Sequence, residues 1–522
     1  MKKKFNTTGT CYPELHYMMD TTAKMKAVMA LIEEGEYFTI NRPRQYGKTT
    51  TLHFLNNILS KSKKYMPVRL NFQGIDQKWH TSSEAFAVMF INKLTQRLKF
   101  SQPNATSFLD TLQVKVQDMD TLSDAITAIV HHFSSKIVLL IDEVDASSNY
   151  LAFLSFLAML RTKYLDRFEV YHATFHSIVL AGVHDIKTLK YKMRSGDKAE
   201  YNSPWNIAAD FKVIMSFNPQ EIAPMLEDYT QKEGIDMNFS AIAERLYYHT
   251  SGYPFLVSKI CKIIAEDILP TKTVKTWTLE AVEQGVRLLL KENNTNFDSL
   301  IKNLENHKDL YSLVYRTIVE SENIPFNQHN PSIHLGILHG IFKSGKSLQI
   351  HNRIYEQIIY NYMISRTLTK TFRERQYDFN TAYVNKDKTL NIEGVLLRFQ
   401  QFMKEQYSGQ DQSFLEREWR LIFLAFLKPI INGKGHDFKE PQISEEKRLD
   451  IVITYFQYKY IIELKRWYGD SLHQNGIEQL CDYLDKQHQT KGYLVIFEHR
   501  TAKTWRQERI PIDGKEIFAV WI

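Results

Sequence analysis

The sequence predicts an α/β protein: a parallel sheet carrying a phosphate-binding loop, a helical region ending in a helix–hairpin–helix unit, and a second, separate α/β domain. Three observations carry this reading. The strand "EYFTI", ending at Ile40, runs into "RPRQYGKT" (42–49) and then a helix. A β-branched and leucine run, "KIVLLIDEVD" (136–145), ends in paired acids. Beyond residue 412 a helix, two strands, a helix and a strand follow one another.

A phosphate loop leaves a buried strand, turns its backbone N–H groups toward the anion and opens a helix. "GIFKSGKS" (340–347) satisfies G-x-x-x-x-G-K-[ST] at every position, yet its surroundings are wrong. "SIHLGILHG" reads as a helix, "IFKSGKSLQIHN" alternates about a Ser-Gly tip like a hairpin, and "RIYEQIIYNYM" reads as another helix. That order is the wing of a winged helix. The upstream stretch has Arg42 where the first glycine belongs, but Leu52, Leu55, Ile58 and Leu59 follow Lys48 at helical spacing. The imperfect match is therefore the expected nucleotide site, formed by Arg44, Gln45, Tyr46, Gly47, Lys48, Thr49 and Thr50.

Strand ends gather ligands in a parallel sheet. Asp142 is expected to hold Mg²⁺ together with the Thr49 hydroxyl, and Glu143 to act as general base on the attacking water. The strand "HSIVLAG" (176–182) exits toward His184 and Asp185, candidates for sensing the γ-phosphate. Arg44 and Arg194 are candidate charge-neutralising arginines; surface solvation explains either equally well.

Composition sets outer bounds. The chain has 522 residues, 43% of them hydrophobic, enough for about three or four domains. No apolar run is long enough to cross a membrane. Polar "NTTGT" follows "MKKKF", so a signal peptide is not expected. Cys11, Cys261 and Cys481 lie far apart without CxxC pairing, which fits a reducing cytoplasm and disfavours a disulfide framework or zinc site. A net charge of +7 is compatible with a polyanionic partner.

Six blocks in order, "FNTTGTCYPELHYMMD", "YFTINRPRQYGKTT", "LLIDEVD", "LAGVHDIK", "SPWNIAADF" and "SGYPFLVSKI", resemble the AAA-like ATPases related to the STAND class. Their loop commonly reads "APRQTGKT". The resemblance spans roughly the first 365 residues. It implies ATP as cofactor, "HYMMD" near the adenine, Gly252 and Pro254 as the G-x-P element of a helical lid, and a winged helix over 280–365. Arg42 departs from the family pattern and would weaken binding unless it points away from the phosphates.

In the C-terminal part, Glu463 and Lys465 share one face of "YKYIIELKRW", and Asp450 comes from the preceding strand of the same hairpin. Carboxylates brought together favour a divalent cation, and a neighbouring lysine suits a phosphodiester. Gln479 and Tyr483 lie four apart on one helical face. The pattern Asp450…Glu463-x-Lys465…Gln479-x-x-x-Tyr483 resembles the PD-(D/E)XK nuclease superfamily, in the branch with a Q-x-x-x-Y helix. That resemblance covers about 412–500 and implies a helical glutamate as a further metal ligand, Glu416 or Glu418.

The expected organisation is an ATPase core over 1–250, lid and winged helix over 251–365, a polar connector over 366–411 and a nuclease-like domain over 412–522. The expected function is ATP binding and hydrolysis controlling a Mg²⁺-dependent DNA-cutting domain, with Mn²⁺ an alternative cation. The resemblances suggest bacterial defence or mobile-element biology. The expected partner is nucleic acid, DNA in the first place, with no membrane and with a homo-oligomer left open. The alternative is a nucleotide-switched signalling protein or DNA-binding scaffold without nuclease activity.

Overall fold

A computed structural model describes residues 2–148, 150–183, 186, 190–191, 201–271, 276–318, 322–371, 383, 385, 387–407, 419, 422–424, 426–427, 435–438, 451–455, 458–467, 470–498 and 504–522. The chain forms two compact units, Met1–Leu310 with Phe326–Tyr355, and Tyr311–Pro325 with Glu356–Ile522.

The first unit is built on four parallel strands, β1 (Tyr37–Asn41), β2 (Tyr65–Asn71), β3 (Lys136–Asp142) and β4 (Ser177–Gly182), in the order β1-β4-β3-β2. Both faces of the inner strands are covered, which is why they read as unbroken apolar runs. Phe38, Ile40, Val138, Leu140, Val179 and Ala181 pack with α1 (Thr22–Glu33) and α2 (Lys48–Ser60). Alternate residues, among them Tyr37, Leu139, Ile141, Ile178 and Leu180, face α3 (Ser83–Ser101), α4 (Thr106–Lys115), α5 (Met119–His132) and α6 (Leu151–Leu165). Truncating one of these buried aliphatics to alanine costs roughly 2–5 kcal/mol.

The "SPWNIAADF" block lies alongside β1. Ala209 N–H donates to the Tyr37 carbonyl at 2.7 Å, and the Trp205 indole N–H donates to the Thr39 hydroxyl at 3.1 Å.

A layer of helices follows: α7 (Pro219–Glu233), α8 (Phe239–Thr250), α9 (Pro254–Ile263) and α10 (Leu279–Leu289). The first starts with a capping box, Asn218 with Glu221, and proline at its first position. Because α7 packs on α8 through its own apolar stripe, the helical region starts near 219, ahead of the boundary at 251 drawn from sequence. Next come α11 (Thr295–Asn306), α12 (Lys308–Ile318), α13 (Pro331–Leu338), an antiparallel hairpin of β5 (Phe342–Lys343) with β6 (Gln349–Ile350), and α14 (Arg353–Thr371). The motif "GIFKSGKS" therefore straddles a hairpin tip and opens no helix.

The second unit carries a mixed sheet of β7 (Gly435–Phe438), β8 (Ile451–Tyr455), β9 (Tyr458–Arg466), β10 (Lys491–Phe497), β11 (Gln507–Ile512) and β12 (Lys515–Trp521). Its order is β7-β8-β9-β10-β12-β11. Strands β7, β8 and β9 are antiparallel neighbours, whereas β9, β10 and β12 run parallel. Before β7 lies a helix, labelled α15 (Ile392–Tyr407), and between β9 and β10 lies α16 (Asp470–Lys486). Ile477, Leu480 and Leu484 of α16 pack on Val452, Ile461, Leu494 and Ile496. The stretch 366–411, expected as a connector, contributes α15 to this unit. Val395, Leu396, Phe399 and Met403 are buried at helical spacing, and the Gln400 amide donates to the Trp521 carbonyl at 2.7 Å. An apolar stripe of that length needs a partner surface, so the segment packs.

Gly252 has φ +72°, and a Cβ there would lie 1.9 Å from the Phe217 carbonyl oxygen. Gly252→Ala is expected to lower stability by at least about 2 kcal/mol; chemical denaturation of the variant measures it.

Candidate functional site

The site lies at the carboxyl ends of the parallel strands, in a cavity of about 1050 Å³. Its lining combines residues 44–51 of the loop and helix start with apolar Met18, Met19, Met25, Phe217 and Phe255. Tyr17, Met18 and Met19 of "HYMMD" thus line the same cavity as the loop.

The loop turns through two left-handed residues, Gln45 at φ +56° and Gly47 at φ +82°. Gly47 is the N-cap of α2 and supplies no side-chain oxygen, so the first turn's N–H groups carry no side-chain cap and face outward as an anion cradle. A Cβ at Gly47 would meet nothing within 4 Å; its φ alone demands glycine. Lys48 is buried and donates to the carbonyls of Arg42 and Pro43 at 2.9 and 3.0 Å. Burial lowers its ammonium below the ordinary lysine range, opposed by Glu143, Asp145 and Asp142. A buried ammonium held only by its own loop's carbonyls is prepared for an anion. Thr49 and Thr50 line the cavity, and the Thr50 hydroxyl accepts from Cys11 N–H at 3.1 Å.

Arg42 does point away. Its guanidinium donates to the carbonyls of Asn41 and Val213 at 2.9 and 2.7 Å and lies 5.2 Å over the Phe211 ring. The residue replacing the first glycine is anchored behind the loop.

At the end of β3, Asp142 is fully buried. Its Oδ1 accepts from Glu143 N–H at 3.1 Å and its Oδ2 lies 3.2 Å from the Arg69 guanidinium. Glu143 takes a left-handed φ of +55°, uncommon outside glycine, which turns its carboxylate into the cavity. Burial raises that carboxyl above the ordinary glutamate range; Lys48 opposes the shift and Asp142 and Asp145 add to it. Asp145, which sequence reasoning missed, also lines the cavity and accepts from Val183 N–H at 2.6 Å. It stood visible as the third acid of "DEVD". His184, Asp185 and Arg194 lie outside the described residues.

The loop is held from outside. The Asn296 amide donates to Gln45 Oε1 at 2.9 Å, and the Tyr355 hydroxyl donates to Asn296 Oδ1 at 2.7 Å. The Tyr46 hydroxyl meets His351 Nε2 at 3.2 Å, and the Tyr253 hydroxyl donates to the Arg44 carbonyl at 2.5 Å. Pro254 opens α9 at the cavity wall. Gly340, the first glycine of "GIFKSGKS", sits against the start of the upstream loop: at φ +70°, a Cβ would lie 2.8 Å from Pro43 Cγ.

In the second unit, Glu463 is buried and its Oε1 lies 2.7 Å from Lys465 Nζ, which also donates to Gln479 Oε1 at 3.1 Å. The Lys465 stem passes over Gly476 of α16. Tyr483 is buried, and its hydroxyl has no hydrogen-bond partner among the described residues. Asp450, Glu416 and Glu418 lie outside those residues, and within them no group of three acidic, histidine or cysteine side chains is placed to hold a metal.

The family model for the AAA-like domain matches residues 12–361, more than half of the chain. The protein belongs to that family. Among curated proteins none matches. Similar solved structures include the Walker-type ATPase PABY2304 of Pyrococcus abyssi (13% identity, TM-score 0.46, covering 68% of this chain and 99% of that one). The ORC1 protein of Aeropyrum pernix in complex with DNA is another (10%, TM-score 0.31, 67% and 95%). A third is the RuvB Holliday junction branch migration motor of Thermotoga maritima (14%, TM-score 0.33, 68% and 98%). Family and fold together are those of a P-loop ATPase. No described helix is long and apolar enough to cross a membrane.

Lys48→Ala is expected to abolish ATP binding by calorimetry, while Lys346→Ala on the hairpin tip leaves it intact. Gly340→Ala, pushing on Pro43, should weaken binding by roughly tenfold, although Gly340 lies almost 300 residues from the loop in sequence.

Proposed function

We propose that the first unit binds and hydrolyses ATP and that this controls a divalent-cation-dependent phosphodiesterase in the second unit, acting on DNA. The observation that carries the ATPase half is the convergence of Lys48 and Glu143 on one cavity. The loop N–H groups and Lys48 bind the phosphates, Thr49 and Asp142 offer hard oxygens to Mg²⁺, and Glu143 takes the proton of the attacking water. Met18 and Met19 receive the base. Mg²⁺, when bound, neutralises charge on the phosphates.

The nuclease half is supported by a buried carboxylate–lysine pair. Sealing the Glu463 charge costs desolvation that a simple solvated hairpin would avoid, Lys465 meets it while staying partly exposed, and such carboxylates concentrate at functional sites. The antiparallel pair β8/β9, with β10 parallel to β9 across α16, is the framework the PD-(D/E)XK reading requires. Glu463 and Asp450 are the proposed cation ligands, with Glu416 or Glu418 a further one. Lys465 stabilises charge developing on the phosphate, and Gln479 holds its ammonium in place. Tyr483 offers its buried hydroxyl beside them. A divalent cation there, Mg²⁺ or Mn²⁺, lowers the pKa of its bound water. A second reading, a nucleotide-switched scaffold without cutting, is favoured by one fact: Glu463 is already neutralised by Lys465.

Two experiments test these halves. Glu143→Gln should bind ATP normally and hydrolyse it about a hundredfold more slowly; unchanged turnover would assign the water to another group. The full-length protein, given plasmid and linear DNA with and without Mg²⁺, Mn²⁺ and ATP, should cut only with a divalent cation. Lys465→Ala should stop cutting while leaving Mn²⁺ bound, whereas Glu463→Ala should lose both. No cleavage and no saturable Mn²⁺ site in the second unit would favour the scaffold.

A further inference from the structure

Asp142 and the Thr49 hydroxyl are the oxygens proposed for Mg²⁺, and a guanidinium already lies on Asp142, between it and the Thr49 backbone. Arg69 projects from β2, the strand paired with β3, and places one terminal nitrogen 3.2 Å from Asp142 Oδ2 and 3.5 Å from the Thr49 carbonyl. The other carboxylate oxygen, Oδ1, is engaged by Glu143 N–H. Both carboxylate oxygens of Asp142 are therefore engaged by the protein itself. Its side chain is 1% exposed and that of Arg69 is 27% exposed, so the carboxylate is sealed while the arginine keeps a route to solvent. A sealed carboxylate needs a countercharge, and among the described residues Arg69 is the cation ion-paired with it.

A guanidinium and a divalent cation would repel each other beside one carboxylate. We propose that Arg69 is a resident countercharge that competes with Mg²⁺ for Asp142. It sets the Mg²⁺ concentration at which the nucleotide site loads, and swings outward when the metal enters. This rests on the reading of Asp142 and Thr49 as the Mg²⁺ end of the nucleotide site. Arg69 is thus a positioning residue: it acts on the metal through Asp142.

The test is titration of Mg²⁺ into the full-length protein with a fluorescent ATP analogue, read as the half-saturating Mg²⁺ concentration, with thermal unfolding in Mg²⁺ alone as second readout. Arg69→Gln is expected to lower that concentration by roughly tenfold and to gain a Mg²⁺-dependent rise in melting temperature that wild type lacks. Arg69→Lys keeps the charge but replaces the delocalised guanidinium with a compact, more strongly hydrated ammonium. It should fall between the two, and serves as the test if Arg69→Gln fails to fold. A half-saturating concentration equal to or above wild type in the folded variants, with nucleotide still bound, overturns the proposal and leaves the nucleotide site standing. Failure of wild type to bind the analogue at any Mg²⁺ concentration overturns the site reading itself and the proposal with it.

Discussion

A phosphate loop cannot hold itself together. Its backbone N–H groups must point at the ligand, so they are withheld from the hydrogen bonds that would fix the turn, and two of its residues sit in the left-handed region. Rigidity has to come from neighbours. Here it comes from residues more than 200 positions away: Tyr253 takes the Arg44 carbonyl, Asn296 takes the Gln45 side chain, and His351 takes the Tyr46 hydroxyl. Asn296 is fixed in turn by Tyr355, which is itself buried against Tyr253. Helices α9, α11 and α14 are thus parts of the loop's support as much as elements of their own.

The same constraint bears on the better sequence match, which lies on a hairpin rather than between a strand and a helix. Gly340 is glycine because the chain turns there at positive φ against Pro43, leaving no space for a Cβ. Gly345, Lys346 and Ser347 belong to a hairpin tip, where small and polar residues are common for reasons of turn geometry. A pattern of glycines and a lysine arose from two unrelated needs. Arg42 shows the converse: it breaks the pattern, and the carbonyls of Asn41 and Val213 hold its head in place.

What was legible in the sequence was local. Strands β1, β3 and β4, the loop, its helix and the hairpin announce themselves through periodicity within a dozen residues, and Asp142 and Glu143 through their place at a strand end. The clamps on the loop were illegible because nothing near Asn296, His351 or Tyr355 marks them as partners of residues 44–46; only the folded chain brings them together. Arg69 gave a faint signal, as the lone charge within "YMPVRLN", but an edge strand with one solvated arginine reads the same way. The stripe Val395, Leu396, Phe399 and Met403 of α15 reads as a helical patch, but its charged flanks, rich in Lys, Arg and Asp, say connector and gave no sign that the helix packs on the second sheet. Asp450, Glu416 and Glu418 stand outside the described residues, so the C-terminal pattern is represented by Glu463, Lys465, Gln479 and Tyr483.

The two sites share an electrostatic solution. Asp142 and Glu463 both lie near the carboxyl end of a strand, both are sealed from solvent, and each is met by a basic side chain, Arg69 from the next strand or Lys465 from the same one. An acid buried without a partner would be costly. Arg69 and Lys465 are each only partly exposed, at 27% and 33%, so each base meets a sealed acid while keeping its own contact with water. The difference lies in the second partner of each base. Arg69 is shared with the Thr49 carbonyl, a backbone group of the phosphate loop's own helix start, whereas Lys465 is shared with the Gln479 side chain on α16.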